Sequence, residues 1–363
     1  MSQQPFRVLV VDDTILYRTI VSEILTAIPG VEVVGTAIHG GVALEKVMEL
    51  TPDLITLDVE MPVMDGLATL RKLQELKGKA KPWVLMVSSH TRQGAAVTLE
   101  ALQLGAYDFI TKPDGGEPQQ SFEMLLGKFR PIIHALMTQK ILRQTIHGLV
   151  PEVVAKSVVP APNSPAAPSP LRRVDIVAIG ISTGGPNALT ELLPRLPADF
   201  PVPIVIVQHM PKLFTGVFAE TLDSKCAIHV EEGKSGQPLQ AATAYIAPGG
   251  RQMRVASGQG PSSYALEITD DPPENHCQPA VDYLFRSVAS VFKGHALGII
   301  MTGMGCDGTL GLRLMKRQGA QVIAQDQASC VVYGMPQEAV KAGVVDLVLP
   351  LSDIAAEIMR RVQ

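Results

Sequence analysis

Three residues, far apart in this 363-residue chain, have the types that acyl transfer needs: Ser182 in "GISTGGP", His209 in "VQHMP" and Asp307 in "MTGMGCDG". Gly180-Ile181-Ser182-Thr183-Gly184 fits the Gly-x-Ser-x-Gly pattern of a nucleophile elbow, a strand-to-helix turn that holds its serine hydroxyl outward. Backbone N–H groups at the start of the following helix can stabilise an oxyanion. A serine hydroxyl is a poor nucleophile without a base. His209 can supply that base, and Asp307 can orient its ring and stabilise the charged form. Each residue alone has a plainer explanation. Serine is common in Gly-rich turns, a histidine after a strand is often structural, and Asp307 can be a helix N-cap. The case rests on all three standing just past apolar strand-like runs.

The same glycines admit a second reading. Gly303-Met304-Gly305-Cys306-Asp307-Gly308 fits Gly-x-Gly-x-x-Gly, and Asp326 follows 18 residues after Gly308, near the spacing of a ribose-binding acid. Against it, Asp307 places a carboxylate where the helix N-terminus should hold a pyrophosphate. The chain order Ser…His…Asp also excludes the α/β-hydrolase arrangement, in which histidine comes last.

A separate group sits in the first third. Asp12 and Asp13 end the run "RVLVV", Asp58 ends "LITL", Ser88 ends "VLMV", and Lys112 follows "FIT". At about 4 Å and an effective dielectric near 20, each carboxylate pair costs about 4 kcal/mol, so the site calls for a proton or a cation. A hard ion such as Mg²⁺ suits oxygen ligands. Carboxylates, hydroxyl and ammonium together suit phosphoryl transfer to an aspartate. Asp12 and Asp13 also stand where acidic residues cap a helix, here one starting near Thr14.

Positioning all of these requires strands whose carboxyl ends share an edge. Short apolar runs alternate with helical patterns on both sides of a proline-rich stretch, which argues for two doubly wound parallel α/β sheets. The amphipathic stretch from Phe122 to Ile146 closes the first region, and Pro131 is expected to kink or restart it. Pro151 to Pro170 carries six prolines and reads as a semi-rigid linker. The expected organisation is residues 5–125, a helix and linker over 126–170, and a second domain over 171–363.

Composition narrows the class. The chain is 46% hydrophobic and 18% charged with net charge −4, which suits a folded protein and not a broad nucleic-acid footprint. Four scattered cysteines without a CxxC pair read as free thiols in a reducing compartment. The apolar run Val8–Val11 is too short for a signal peptide, and no run approaches the roughly 20 residues that span a bilayer. These features predict a cytoplasmic protein without membrane insertion.

"LDVEMPVMDG", the Asp12-Asp13 pair and Lys112-Pro113 resemble response-regulator receiver domains over roughly residues 5–125. The resemblance implies that Asp58 accepts a phosphoryl group from a histidine kinase. It implies Mg²⁺ on Asp13, Asp58 and the Glu60 carbonyl, with Asp12 assisting through water. Ser88 and Lys112 would contact phosphoryl oxygens, and Phe109 would be the aromatic switch. The segments around Ser182, His209 and Asp307, with "FTGVFAETL" and "YIAPGG", resemble the chemotaxis protein-glutamate methylesterases. That family implies a flavodoxin-like receiver and a Rossmann-like catalytic domain, the Ser182–His209–Asp307 triad, and an oxyanion hole from the N–H groups near Thr183 and Met304. Its implied substrates are methyl-accepting chemotaxis receptors, demethylated and deamidated without a cofactor for the esterase step, and its place is the receptor array. A scaffold that binds receptors without chemistry, or a dinucleotide-binding output domain, is the competing expectation.

Overall fold

The computed structural model describes residues 4–76, 81–89, 91–113, 118–148, 173–258 and 263–362. The predicted linker 151–170 lies outside them. In the first unit, β1 (Phe6–Val11), β2 (Val31–Ala37), β3 (Leu54–Asp58), β4 (Trp83–Ser88) and β5 (Asp108–Thr111) form a parallel sheet ordered β2-β1-β3-β4-β5. Between them run α1 (Ile15–Thr26), α2 (Gly40–Leu50), α3 (Gly66–Glu75) and α4 (Arg92–Gln103). β3 is buried along its whole length, as expected of a strand covered on both faces. The helices start on side-chain caps: Thr14 accepts from the Tyr17 N–H, and Asp65 from the Ala68 N–H.

The final helix of this unit, α5 (Pro118–Gly148), runs through Pro131 without the predicted restart. Phe129, Ile132, Ile133 and Leu136 are buried against the first sheet on both sides of the proline. Burying each such side chain contributes roughly 1.5–3 kcal/mol. Several of them together outweigh the ~3 kcal/mol that an internal proline costs a helix. Further along, the Lys140 ammonium pairs with Asp53 at 2.6 Å, so the helix stays on the first sheet at least that far.

In the second unit, β6 (Ile176–Ile181), α6 (Gly185–Leu192), β7 (Ile204–Gln208) and α7 (Phe214–Asp223) lead into β8 (His229–Glu232) and β9 (Thr243–Ile246). An antiparallel hairpin not anticipated from the sequence, β10 (Gln252–Ser257) with β11 (Tyr264–Thr269), then precedes α8 (Val281–Phe292). The chain finishes with β12 (Ala296–Ile300), α9 (Thr309–Arg317), β13 (Gln321–Gln325), α10 (Met335–Lys341), β14 (Leu347–Leu349) and α11 (Leu351–Val362). Its parallel sheet is ordered β14-β13-β12-β6-β7-β9-β8. β12, β6 and β7 are neighbours at its centre, all six residues of β6 being buried. The chain leaves β6 toward β7 and later returns to pair β12 on the other side. That is a topological switch point, where the carboxyl ends of parallel strands open a crevice. The loops after these three strands carry Ser182, His209 and Asp307.

Candidate active site

Backbone and Gln208 hydrogen bonds tie the three loops together. The Ser182 N–H donates to the Thr302 carbonyl at 2.9 Å, and the His209 N–H to the Ile181 carbonyl at 3.1 Å. Gln208 Nε2 donates to the carbonyls of both Ser182 (3.0 Å) and His209 (3.1 Å). The turn after Ser182 needs glycine twice. Gly184 has φ +77°, and a Cβ on Gly185 would lie 1.9 Å from Gln208 Oε1. The sequence reading passed over Gln208, whose only signal was its place beside His209.

His209 Nε2 lies 2.8 Å from Asp307 Oδ2. The same Oδ2 accepts from the Val281 N–H at 2.7 Å, while Oδ1 accepts from Asn275 Nδ2 (2.9 Å) and the Asp282 N–H (3.0 Å). Burial alone would raise the Asp307 pKa, but the bonds from His209, Asp282 and Val281 hold it below the ordinary carboxylate value. An ionised acceptor fixes the histidine proton on Nε2, which leaves Nδ1 as the ring nitrogen with a free lone pair when the ring is neutral. Asp307 is not the helix cap that its position allowed. Gly308 occupies the cap of α9, with no side-chain cap bond. Asn275, at φ +51°, went unrecognised in the sequence because its partner is 32 positions away.

Ser182, Thr183, His209 and Met304 line one cavity of about 410 Å³. No Ser182–His209 hydrogen bond is formed among the described residues. Nδ1 instead stands 3.7 Å from Cys277 Sγ, another residue the sequence did not single out. Burial pushes the His209 pKa down, but the Asp307 and Cys277 contacts outweigh it and carry the ring up to about 9. Among the described residues, neither the Thr183 nor the Met304 N–H donates to a protein acceptor.

The roof of the cavity comes from the first unit. Asp108 and Phe109 of β5 line it. Burial raises the Asp108 carboxyl to about 6, against the bonds it takes from the Phe109 N–H and the Thr183 side chain. Phe109 stacks on Phe214 with ring centroids 4.7 Å apart, and Arg92 pairs with Glu220 at 2.6 Å.

At the edge of the first sheet, ligand oxygens of Asp12, Asp13 and Asp58 lie within 4.8 Å of one another. Lys112 Nζ bridges Asp12 (2.8 Å) and Asp58 (2.7 Å). Burial raises Asp58 to about 6; Lys112 opposes the rise and Asp12 adds to it. Such a cluster fits a hard divalent cation. Neither Asp12 nor Asp13 caps α1, whose cap is Thr14; Asp12 instead accepts from the Thr14 N–H and hydroxyl. Glu60 lines the groove beside Asp13. Ser88 is not joined to this group. Its hydroxyl is buried against Thr98 Oγ1 (2.8 Å) and the Gly94 carbonyl (3.3 Å).

The glycine loop does not support the dinucleotide alternative. A Cβ on Gly303 would lie 2.5 Å from Met335 Sδ and 2.7 Å from Ser182 Cβ, so the loop packs on the serine turn there, while a Cβ on Gly305 would have no neighbour within 4 Å. Asp326 is engaged locally, accepting from the Ser329 N–H and hydroxyl.

Comparison with known proteins gives the family. The family model described as CheB methylesterase matches residues 177–358, and the response regulator receiver domain model matches residues 8–120. A protein-glutamate methylesterase/protein-glutamine glutaminase of Desulfotalea psychrophila is 46% identical, with 98% of each chain covered. One of that name from Bacillus subtilis is 42% identical, with 97% of each covered. The Thermotoga maritima CheB methylesterase catalytic domain superposes with a TM-score of 0.50 at 38% identity, covering 52% of this chain and 99% of that one. This chain therefore belongs to the CheB family of protein-glutamate methylesterases/protein-glutamine glutaminases, with a receiver domain ahead of the methylesterase domain.

Proposed function

We propose that the chain is a phosphorylation-activated hydrolase of glutamyl methyl esters on chemotaxis receptors, releasing methanol, and a deamidase of receptor glutamines. The observation that carries the reading is the Asp307–His209 bond, with His209 and Ser182 lining one cavity. Ser182 Oγ attacks the ester carbonyl as its proton passes to His209 Nδ1. The Thr183 and Met304 N–H groups receive the oxyanion. The imidazolium, stabilised through Nε2 by Asp307, returns the proton to the departing methanol. Water then hydrolyses the acyl-enzyme by the same route, and with a glutamine substrate ammonia leaves instead. The product is a carboxylate, which restores a negative charge to the receptor.

Control follows from the roof. With Asp108 on Thr183 and Phe109 on Phe214, the approach of a helical substrate to Ser182 is restricted. A histidine kinase supplies the phosphoryl group to Asp58, and Lys112, now bridging Asp12 and Asp58, is the cation placed to meet its oxygens. Mg²⁺ held by Asp13, Asp58 and the Glu60 carbonyl would supply the positive charge that lets a phosphoryl anion approach the carboxylates. The reading places the protein in the cytoplasm at receptor arrays; among the described residues no helix is long and apolar enough to cross a membrane.

The deciding measurement is methanol release from methylated receptor by the full chain, with and without a small phosphodonor. Release stimulated by the donor is expected, and none in either condition overturns the reading. Phe109→Ala tests the roof. Losing a stacked aromatic pair removes about 0.5–1.5 kcal/mol beyond area burial, so donor-independent release should rise about 2- to 10-fold. An unchanged or lower basal rate counts against occlusion through this contact. The pH profile tests the pair below it. His209 must be neutral to take the serine proton, so kcat/KM of the unphosphorylated chain should climb with pH through an apparent pKa of about 9. A midpoint at or below the ordinary histidine value would mean that the Asp307 and Cys277 contacts do not govern the base.

A further inference from the structure

Cys277 takes no proton and forms no bond in the reaction described above, yet its sulfur stands against the proposed base, 3.7 Å from His209 Nδ1. Ligand atoms of His209, Cys277 and Asp307 all lie within 4.8 Å of one another. Zinc binds imidazole nitrogen at about 2.0–2.1 Å and thiolate sulfur at about 2.3 Å, and a tetrahedral angle between them separates the two by about 3.6 Å. The observed spacing needs almost no adjustment. The far ring nitrogen already meets a carboxylate, Asp307 Oδ2 at 2.8 Å, which is how metal-bound imidazoles are usually oriented. Asp307 is itself fixed by Val281, Asp282 and Asn275. The sulfur is reachable from the cavity, since Cys277 is among its lining residues and is only half-buried.

We propose that His209 Nδ1 and Cys277 Sγ form a binding site for a thiophilic divalent cation of the zinc class, and that the metal inhibits the enzyme by occupying the nitrogen that serves Ser182. Thiolate with imidazole selects such ions over Mg²⁺, which belongs on the all-oxygen cluster of Asp12, Asp13 and Asp58. Binding releases the thiol proton, and any proton on Nδ1, to solvent. Cavity water would complete the coordination. The inhibition rests on the proposed role of His209 as base; the metal site does not.

The test uses the reduced full chain with Mg²⁺ in excess, titrated with Co²⁺ as a spectroscopic stand-in for zinc. A near-ultraviolet thiolate-to-cobalt charge-transfer band is expected, saturating at one metal per chain and bleached by added Zn²⁺. The band should vanish in Cys277→Ser and Cys277→Ala and persist in Ser182→Ala. In parallel, Zn²⁺ should suppress methanol release, and Cys277→Ser, active without zinc, should raise the half-inhibiting concentration. The rise should exceed the roughly 10- to 100-fold change that follows loss of a mere supporting residue. Absence of a sulfur band overturns the site, as does a band that survives both Cys277 variants and so reports Cys226, Cys306 or Cys330. Zinc inhibition that is equal in wild type and Cys277→Ser overturns the inhibitory role. A Cys277-dependent band in a chain that releases no methanol under any condition upholds the metal site and defeats the esterase reading instead.

Discussion

Ser182→Ala should lower methanol release by on the order of 10⁴-fold or more, the scale seen when a hydrolytic triad loses its nucleophile. The hydroxyl has little else to do. Among the described residues, Ser182 Oγ makes no hydrogen bond, whereas the backbone of Ser182 holds the turn. Its N–H reaches the Thr302 carbonyl, and its own carbonyl accepts from Gln208 Nε2 and the Gly185 N–H. Alanine keeps all of those bonds. The variant should therefore melt within a few degrees of wild type and bind receptor normally, with kcat lost. This separates an esterase from a phosphorylation-controlled scaffold. Turnover within tenfold of wild type would remove Ser182 from the mechanism, and an intact receptor response without turnover would favour the scaffold.

Asp307→Asn should be nearly as damaging to turnover, again by about 10⁴-fold, for a different reason. Asp307 accepts from four donors, two on each oxygen. An amide has one acceptor oxygen, and its NH₂ must face a pair of donors whichever way it turns. Turned toward Asn275 and the Asp282 N–H, it spares His209 but leaves those donors unpaired, at about 1–3 kcal/mol each. Turned the other way, it faces His209 Nε2 and forces the ring proton onto Nδ1, which then cannot accept from Ser182. In either orientation the imidazolium loses its carboxylate. The expected signature is a collapse of kcat with little change in KM, together with a lower melting temperature. A variant that melts early but retains kcat would reduce Asp307 to a structural role.

The sequence by itself determined the alternation of strands and helices, because covered parallel strands must be continuously apolar and their helices amphipathic. It also placed Ser182, His209, Asp307, Asp12, Asp58 and Lys112 at strand ends, where a parallel sheet gathers them. It did not reveal β2, whose residues are mostly half-buried and lack a sharp apolar run, nor the β10–β11 hairpin. Nor did it reveal that α5 would run through Pro131, since long-range burial overrode the local preference. Tertiary structure alone decided what each side chain at those strand ends meets. Asp307 turns to His209 rather than capping α9, Ser88 turns to Thr98 rather than Asp58, and Cys277 comes to His209 from 68 positions away. Periodicity records which face of an element is buried. It carries no information about which distant loop arrives opposite, because that depends on strand order, and strand order is set when the whole core closes.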